Sequence, residues 1–114
     1  MENRTVLLVD DDYPLLKSHD RIFRQAGWKT LMASSAKEAV ALLPQADVVL
    51  SDFNMVGGNG DEVVAAAGDI PVVLLTGMPQ GIKHAYLLAK PASNEDILKT
   101  VTDALIQSER HSER

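Results

Sequence analysis

The chain has 114 residues, 46% of them hydrophobic, with a formal net charge of −5 and a pI near 5.0. That length is one ordinary domain with enough apolar side chains for a single core, and an acidic chain without a basic run or interleaved basic and aromatic residues argues against a nucleic-acid surface. Without cysteine there is no disulfide framework and no thiolate metal site, and no signal peptide precedes the first strand, so a soluble cytoplasmic protein is expected.

The first element is the strand Val6 to Val9 in the stretch VLLVDDD, four residues apolar enough to be buried on both faces. Asp10, Asp11 and Asp12 follow at its carboxyl end, the end at which open parallel α/β sheets bind ligands. Neighbouring carboxylates repel, so such a cluster gains from a cation. Leu15, Leu16, His19, Ile22, Phe23 and Ala26 then recur at three- and four-residue spacing, predicting a helix over 13–26 that stops at Gly27. Trp28 to Ala33 reads as a second strand. Ser35-Ala-Lys-Glu38 is a capping-box pattern opening a helix with Ala36, Ala39, Val40 and Leu43 on one face, closed by Pro44.

Asp47 to Ser51 is a third strand, and Asp61 to Ala67 allows only about two helical turns before Gly68 and Pro71. Pro71 to Leu75 is a fourth strand and Tyr86 to Leu88 a shorter fifth. The last helix runs from Asn94 to about Gln107, with Ile97, Val101, Ala104 and Leu105 inward. Strand-length apolar runs alternating with helical segments predict successive βα units and a parallel sheet. The tail SERHSER reads as solvated, giving a domain over 1–108 and a disordered segment over 109–114.

Asp10, Asp11, Asp52, Thr76 and Lys90 all fall at strand ends on one sheet edge, and this convergence carries the chemistry. Acids, a hydroxyl and an amine together suit a divalent cation and a phosphoryl group. Asp52 would be the nucleophile, accepting a phosphoryl group as an aspartyl phosphate. Asp10 and Asp11 would hold Mg²⁺ together with Asp52 and the backbone carbonyl of Asn54, because magnesium takes few protein oxygens and keeps several waters. Lys90 adds positive charge beside the phosphoryl oxygens and Thr76 offers its hydroxyl, while Gly77 leaves the position open.

Several other residues are better explained without a ligand. Asp12 is placed as the acid at the start of the first helix. His19 lies on the apolar stripe of that helix and reads as a packed residue, and His84 and His111 share no metal-ligand spacing with it, so no zinc site is expected. GGNG at 57–60 lacks a P-loop pattern and supplies turn conformations. Trp28 and Phe23 read as core or flank packing.

Taken in order, VLLVDDD, SDFNM, VVLLTG and AKP resemble the receiver domain of bacterial two-component response regulators, over nearly the whole chain. The resemblance implies a flavodoxin-like, doubly wound, five-stranded parallel sheet in the order 2-1-3-4-5. It assigns the metal-binding acids to Asp10 and Asp11, the phosphoacceptor to Asp52, the metal-binding carbonyl to Asn54, the switch hydroxyl to Thr76 and the lysine to Lys90, with Pro91 completing the KP turn. It further implies a sensor histidine kinase or histidine phosphotransfer protein as phosphodonor, Mg²⁺ as cofactor and a downstream protein partner, with no nucleic acid or membrane. Such a domain assists its own phosphoryl transfer and dephosphorylation but is not otherwise an enzyme.

Two departures from the family pattern stand out. Only 90 − 76 = 14 positions separate Thr76 from Lys90, and GMPQGIKHA lacks an apolar stripe, so the family's fourth helix is expected to be missing or reduced to a turn. Where family members carry an aromatic residue three places before the lysine, this chain has Leu87. Tyr86 precedes it but faces the other side of the sheet. Two alternatives share the motif. A haloacid-dehalogenase-type phosphohydrolase needs a second acid two residues after the nucleophile, where this chain has Asn54. A pseudo-receiver would bind partners independently of phosphorylation.

Overall fold

The computed structural model describes residues 4–55, 58–77 and 85–112. Strand β1 (Thr5–Val9) pairs with β2 (Lys29–Ala33) on one side and β3 (Val48–Asp52) on the other. Beyond β3 the sheet continues through β6 (Val72–Thr76) to β7 (Tyr86–Ala89), every pairing parallel. The order β2-β1-β3-β6-β7 is the expected flavodoxin-like one, with the chain reversing its direction of winding at β1 and β3. The remaining strands, β4 (Asn54–Met55) and β5 (Gly58–Asn59), form a small antiparallel hairpin straight after β3, in the stretch read from sequence as a turn.

Side chains alternate across the sheet and so build two separate cores. Leu7, Val9, Val49 and Leu74 pack with Ala36 and Ala39 of helix α2 (Ala36–Leu42) and with Val63 and Ala67 of α3 (Gly60–Ala67). Val6, Leu8, Leu50, Val73 and Leu75 pack with Leu16 and Phe23 of α1 (Tyr13–Gln25) and with Ile97, Val101 and Leu105 of α4 (Asn94–Ser112). Covering both faces is what lets these strands be continuous apolar runs. Leu87 packs on the first side and Tyr86 on the second, as the strand period requires. Trp28 sits partly buried against Phe23, ring edge to face at 5.5 Å and 89°.

Helix ends follow local chemistry. Asp12 caps α1, its carboxylate accepting from the Leu15 N–H at 3.2 Å. Ser35 caps α2 by accepting from the Glu38 N–H at 3.1 Å, while the Glu38 carboxylate accepts from the Ser34 N–H at 2.7 Å, one residue earlier than in the usual box. Gly27 ends α1 with φ of +93°, a conformation glycine adopts without Cβ strain.

One boundary needs correction. The helix expected to stop near Gln107, before a disordered 109–114, runs on through Ser112. Glu and Arg propagate a helix once it is nucleated, even where no apolar stripe continues, and Glu109 is tied back to Arg4 by an ion pair of 3.2 Å. The expectation of a reduced fourth helix falls on 78–84, outside the described residues.

Gly60 opens α3 where no side chain fits. A Cβ there would stand 2.7 Å from Leu74 Cδ2 and 3.2 Å from the Phe53 backbone. Gly60→Ala should therefore destabilise the protein by about 1–3 kcal/mol through overpacking, read as a lower midpoint in urea unfolding with an unchanged slope.

Candidate functional site

Four parallel strands carry their polar residues to one edge. Asp10 follows β1 directly, Asp52 is the last residue of β3, and Thr76 the last of β6. Lys90 follows β7, and its N–H donates to the Thr76 carbonyl at 2.9 Å, which fixes the start of the lysine loop beside the threonine. Asp52 lies opposite Leu75 in the sheet register, one position before Thr76. The apolar strands thus hold the polar ends in fixed positions, while the side chains at those ends carry the chemistry.

Asp10, Asp11 and Asp52 each place a carboxylate oxygen within 4.8 Å of the others. Asp10 and Asp52 are buried, at 2% and 6% exposure, and Asp11 is exposed. The Asp10 Oδ1 accepts from the Asp12 N–H at 2.9 Å, whereas its Oδ2 is buried without a hydrogen-bond partner. Burial raises the Asp10 carboxyl above its ordinary value; the Asp12 N–H pulls the other way, and Asp52 adds to the rise. The Lys90 ammonium forms an ion pair with Asp52 Oδ1, an oxygen that accepts no hydrogen bond of regular geometry. Thr76 is buried beside this pair, at 3% exposure.

An orphaned, buried acceptor among crowded carboxylates is an arrangement that a hard cation relieves. The three acids are therefore a donor set that could bind a metal. Asn54 stands two residues beyond Asp52, exposed, at the start of the hairpin.

His19 is buried as the sequence predicts, at 5% exposure, but its surroundings were not legible. Burial lowers its imidazole below the ordinary histidine value, and the charge of Asp52 opposes that shift, which places the ring within reach of the site's field. With Leu15, Leu75, Lys90, Pro91, Ala92 and Ile97 it lines a cavity of about 280 Å³. The sequence signal was a lone histidine on the inward stripe of the helix that begins at the aspartates. Apart from Leu15 on the same helix, the partners come from β6, the loop after β7 and the start of α4, far away in sequence.

The family model for the response regulator receiver domain matches residues 6–107. The C4-dicarboxylate transport transcriptional regulatory protein DctD of Rhizobium meliloti is 32% identical over 123 residues, a match covering 96% of this chain and 25% of DctD. The chain spans between 20% and 52% of the length of the curated relatives it first matches. Among solved structures, a CheY-like receiver domain protein from Methanospirillum hungatei superposes with a TM-score of 0.84 at 22% identity, covering 96% of this chain and 99% of that one. A response regulator receiver protein from Sinorhizobium medicae gives 0.83 at 23%, covering 94% and 98%. With the fold and the acid cluster already in place, the match over residues 6–107 settles the family: this chain belongs to the response regulator receiver domains.

Proposed function

We propose that the chain is a phosphoacceptor that takes a phosphoryl group from a histidine kinase or histidine phosphotransfer protein onto Asp52, with Mg²⁺ held by Asp10, Asp11, Asp52 and the Asn54 carbonyl. The single observation that carries this is the Asp10–Asp11–Asp52 cluster with the Lys90 ammonium on Asp52. Asp52 supplies the nucleophilic oxygen, and Lys90 lowers the charge of the pair as a dianionic phosphoryl group approaches. Thr76, at the neighbouring strand end, would donate its hydroxyl to a phosphoryl oxygen once Asp52 is modified. Bound Mg²⁺ would neutralise the crowded carboxylates and the charge spread over the phosphoryl oxygens.

Asp10 Oδ2 is open for such a role, since it accepts no hydrogen bond from the described residues. The message would leave through a protein partner in the cytoplasm. Leu87 has no ring or hydroxyl with which to follow a moving threonine, so the relay differs from the aromatic one of the family. Incubation with a panel of autophosphorylated sensor kinases and phosphotransfer proteins, with label followed onto this chain, tests the reading. Transfer from at least one donor, lost in EDTA, is expected. Partner binding that is identical with and without label would instead support a phosphorylation-independent module.

A further inference from the structure

Where the β4–β5 hairpin meets α3, two folding requirements fall on neighbouring residues. Asn59 caps α3 from an extended backbone, φ −147° and ψ 175°, its side-chain oxygen accepting from the Asp61 N–H at 2.9 Å. Gly60 must follow it, because a Cβ there would stand 2.7 Å from Leu74 Cδ2 and 3.2 Å from the Phe53 Cα. The fold thus sets a carboxamide directly before the residue type whose peptide nitrogen no side chain shields. Asn54 and Asn94 precede Met55 and Glu95 instead, whose side chains crowd that nitrogen.

We propose that Asn59 is a site of spontaneous deamidation whose rate is set by opening of the hairpin from α3. This stands independently of phosphoryl transfer. The Gly60 peptide nitrogen gives its proton to water or hydroxide and bonds to Asn59 Cγ, and the side-chain amide nitrogen leaves as ammonia. The cyclic imide then takes up water. Opening at Cγ gives aspartate, and opening at the main-chain carbonyl gives isoaspartate, with the chain running through the former side chain. In balance, one amide and one water become one carboxylic acid and ammonia.

The folded chain restrains both reacting groups. Gly60 N–H donates to the Phe53 carbonyl at 2.7 Å, so the nucleophile is held with its proton, and the Asp61 N–H holds the carboxamide oxygen. Asn59 is also the register partner of Asn54 in the hairpin. Attack therefore waits for a local opening that releases these bonds. Losing two hydrogen bonds of ordinary strength should place the folded rate about tenfold or more below the unfolded one. The products differ in consequence. Aspartate keeps a capping oxygen and adds charge where the helix dipole favours it. Isoaspartate adds a main-chain methylene between Asn54's partner position and α3, which breaks the hairpin register and the cap together.

The test ages the whole chain at mildly alkaline pH, folded and in parallel in denaturing urea. Peptide mass mapping follows conversion of amide to acid at each asparagine, and an isoaspartate methyltransferase scores the rearranged product. In urea, conversion should be fastest at Asn59 and should yield isoaspartate. In the folded chain Asn59 should still convert, about tenfold or more slowly. Equal rates in the two conditions would overturn the proposal. So would faster conversion at Asn54 or Asn94 in urea, or no conversion at Asn59 in a folded incubation many times longer than the unfolded half-life. Asn59→Ser, which keeps a capping oxygen, should remove the dominant mass change from the folded chain; its persistence at the wild-type rate would assign the reaction elsewhere. If that variant does not fold, the wild-type peptide maps decide.

Discussion

Asp52→Asn should reduce phosphoryl transfer to background with every donor while leaving the metal-free fold intact. An amide of the same shape fills the same buried position, so packing around Leu75 is kept, but its oxygen carries no charge and cannot serve as a nucleophile. The substitution also removes one of three crowded carboxylates, which relieves repulsion. It leaves Lys90 without its partner, yet that side chain is 42% exposed, so water can solvate the ammonium and little stability is lost. Intact mass and a thermal melt read the two halves of this expectation. A variant that still gains one phosphoryl group would place the acceptor on another residue of the cluster.

The second large effect concerns Asp10 and the metal. In the metal-free protein Asp10 Oδ2 is buried and unpartnered among acids, a situation that costs about 1–3 kcal/mol for an acceptor in general. Asp10→Asn keeps the oxygen that accepts from the Asp12 N–H and replaces the orphan with an amide donor facing carboxylates. The metal-free variant should therefore melt higher than wild type, and the stabilisation that millimolar Mg²⁺ gives wild type by linkage should largely vanish. The pH dependence follows from the direction of the shift. A carboxyl raised by burial binds its proton more tightly folded than unfolded, so stability falls as pH rises from the ordinary carboxylate value through the raised one. Above that window the whole penalty is present, and at neutral pH it is what the variant removes. Melting curves with and without Mg²⁺ on both proteins check the prediction; equal Mg²⁺ responses would count against Asp10 as a ligand.

The strands and the polar residues at their ends were legible because short apolar runs flanked by turn residues leave few alternatives, and VLLVDDD and VVLSD place their acids by counting alone. The caps at Asp12 and Ser35 were legible for the same local reason. What the sequence hid is what depends on contacts between distant segments. The hairpin of Asn54–Met55 with Gly58–Asn59 forms next to the close approach of Gly60 to Phe53 and Leu74, which no pattern encodes. The extra turns of α4 beyond Gln107 carry no apolar stripe, and the Arg4–Glu109 pair joins opposite ends of the chain. His19 could be read as buried but not as a neighbour of Lys90 and Ile97, because only the sheet order brings α1 against β6 and α4 there. The position of Leu87 against the α2 and α3 side, opposite Tyr86, followed from strand period alone.

The central claim is that Asp52 accepts a phosphoryl group with the help of a metal held by its neighbours. The most direct measurement is the intact mass of the wild-type chain after incubation with phosphoramidate, with Mg²⁺ and with EDTA, followed by treatment with mild base or hydroxylamine. The account predicts the gain of a single phosphoryl group only when Mg²⁺ is present, stable to acid and removed by base or hydroxylamine as an acyl phosphate should be. A mass unchanged under all conditions, or a phosphoryl group that resists hydroxylamine, would contradict it.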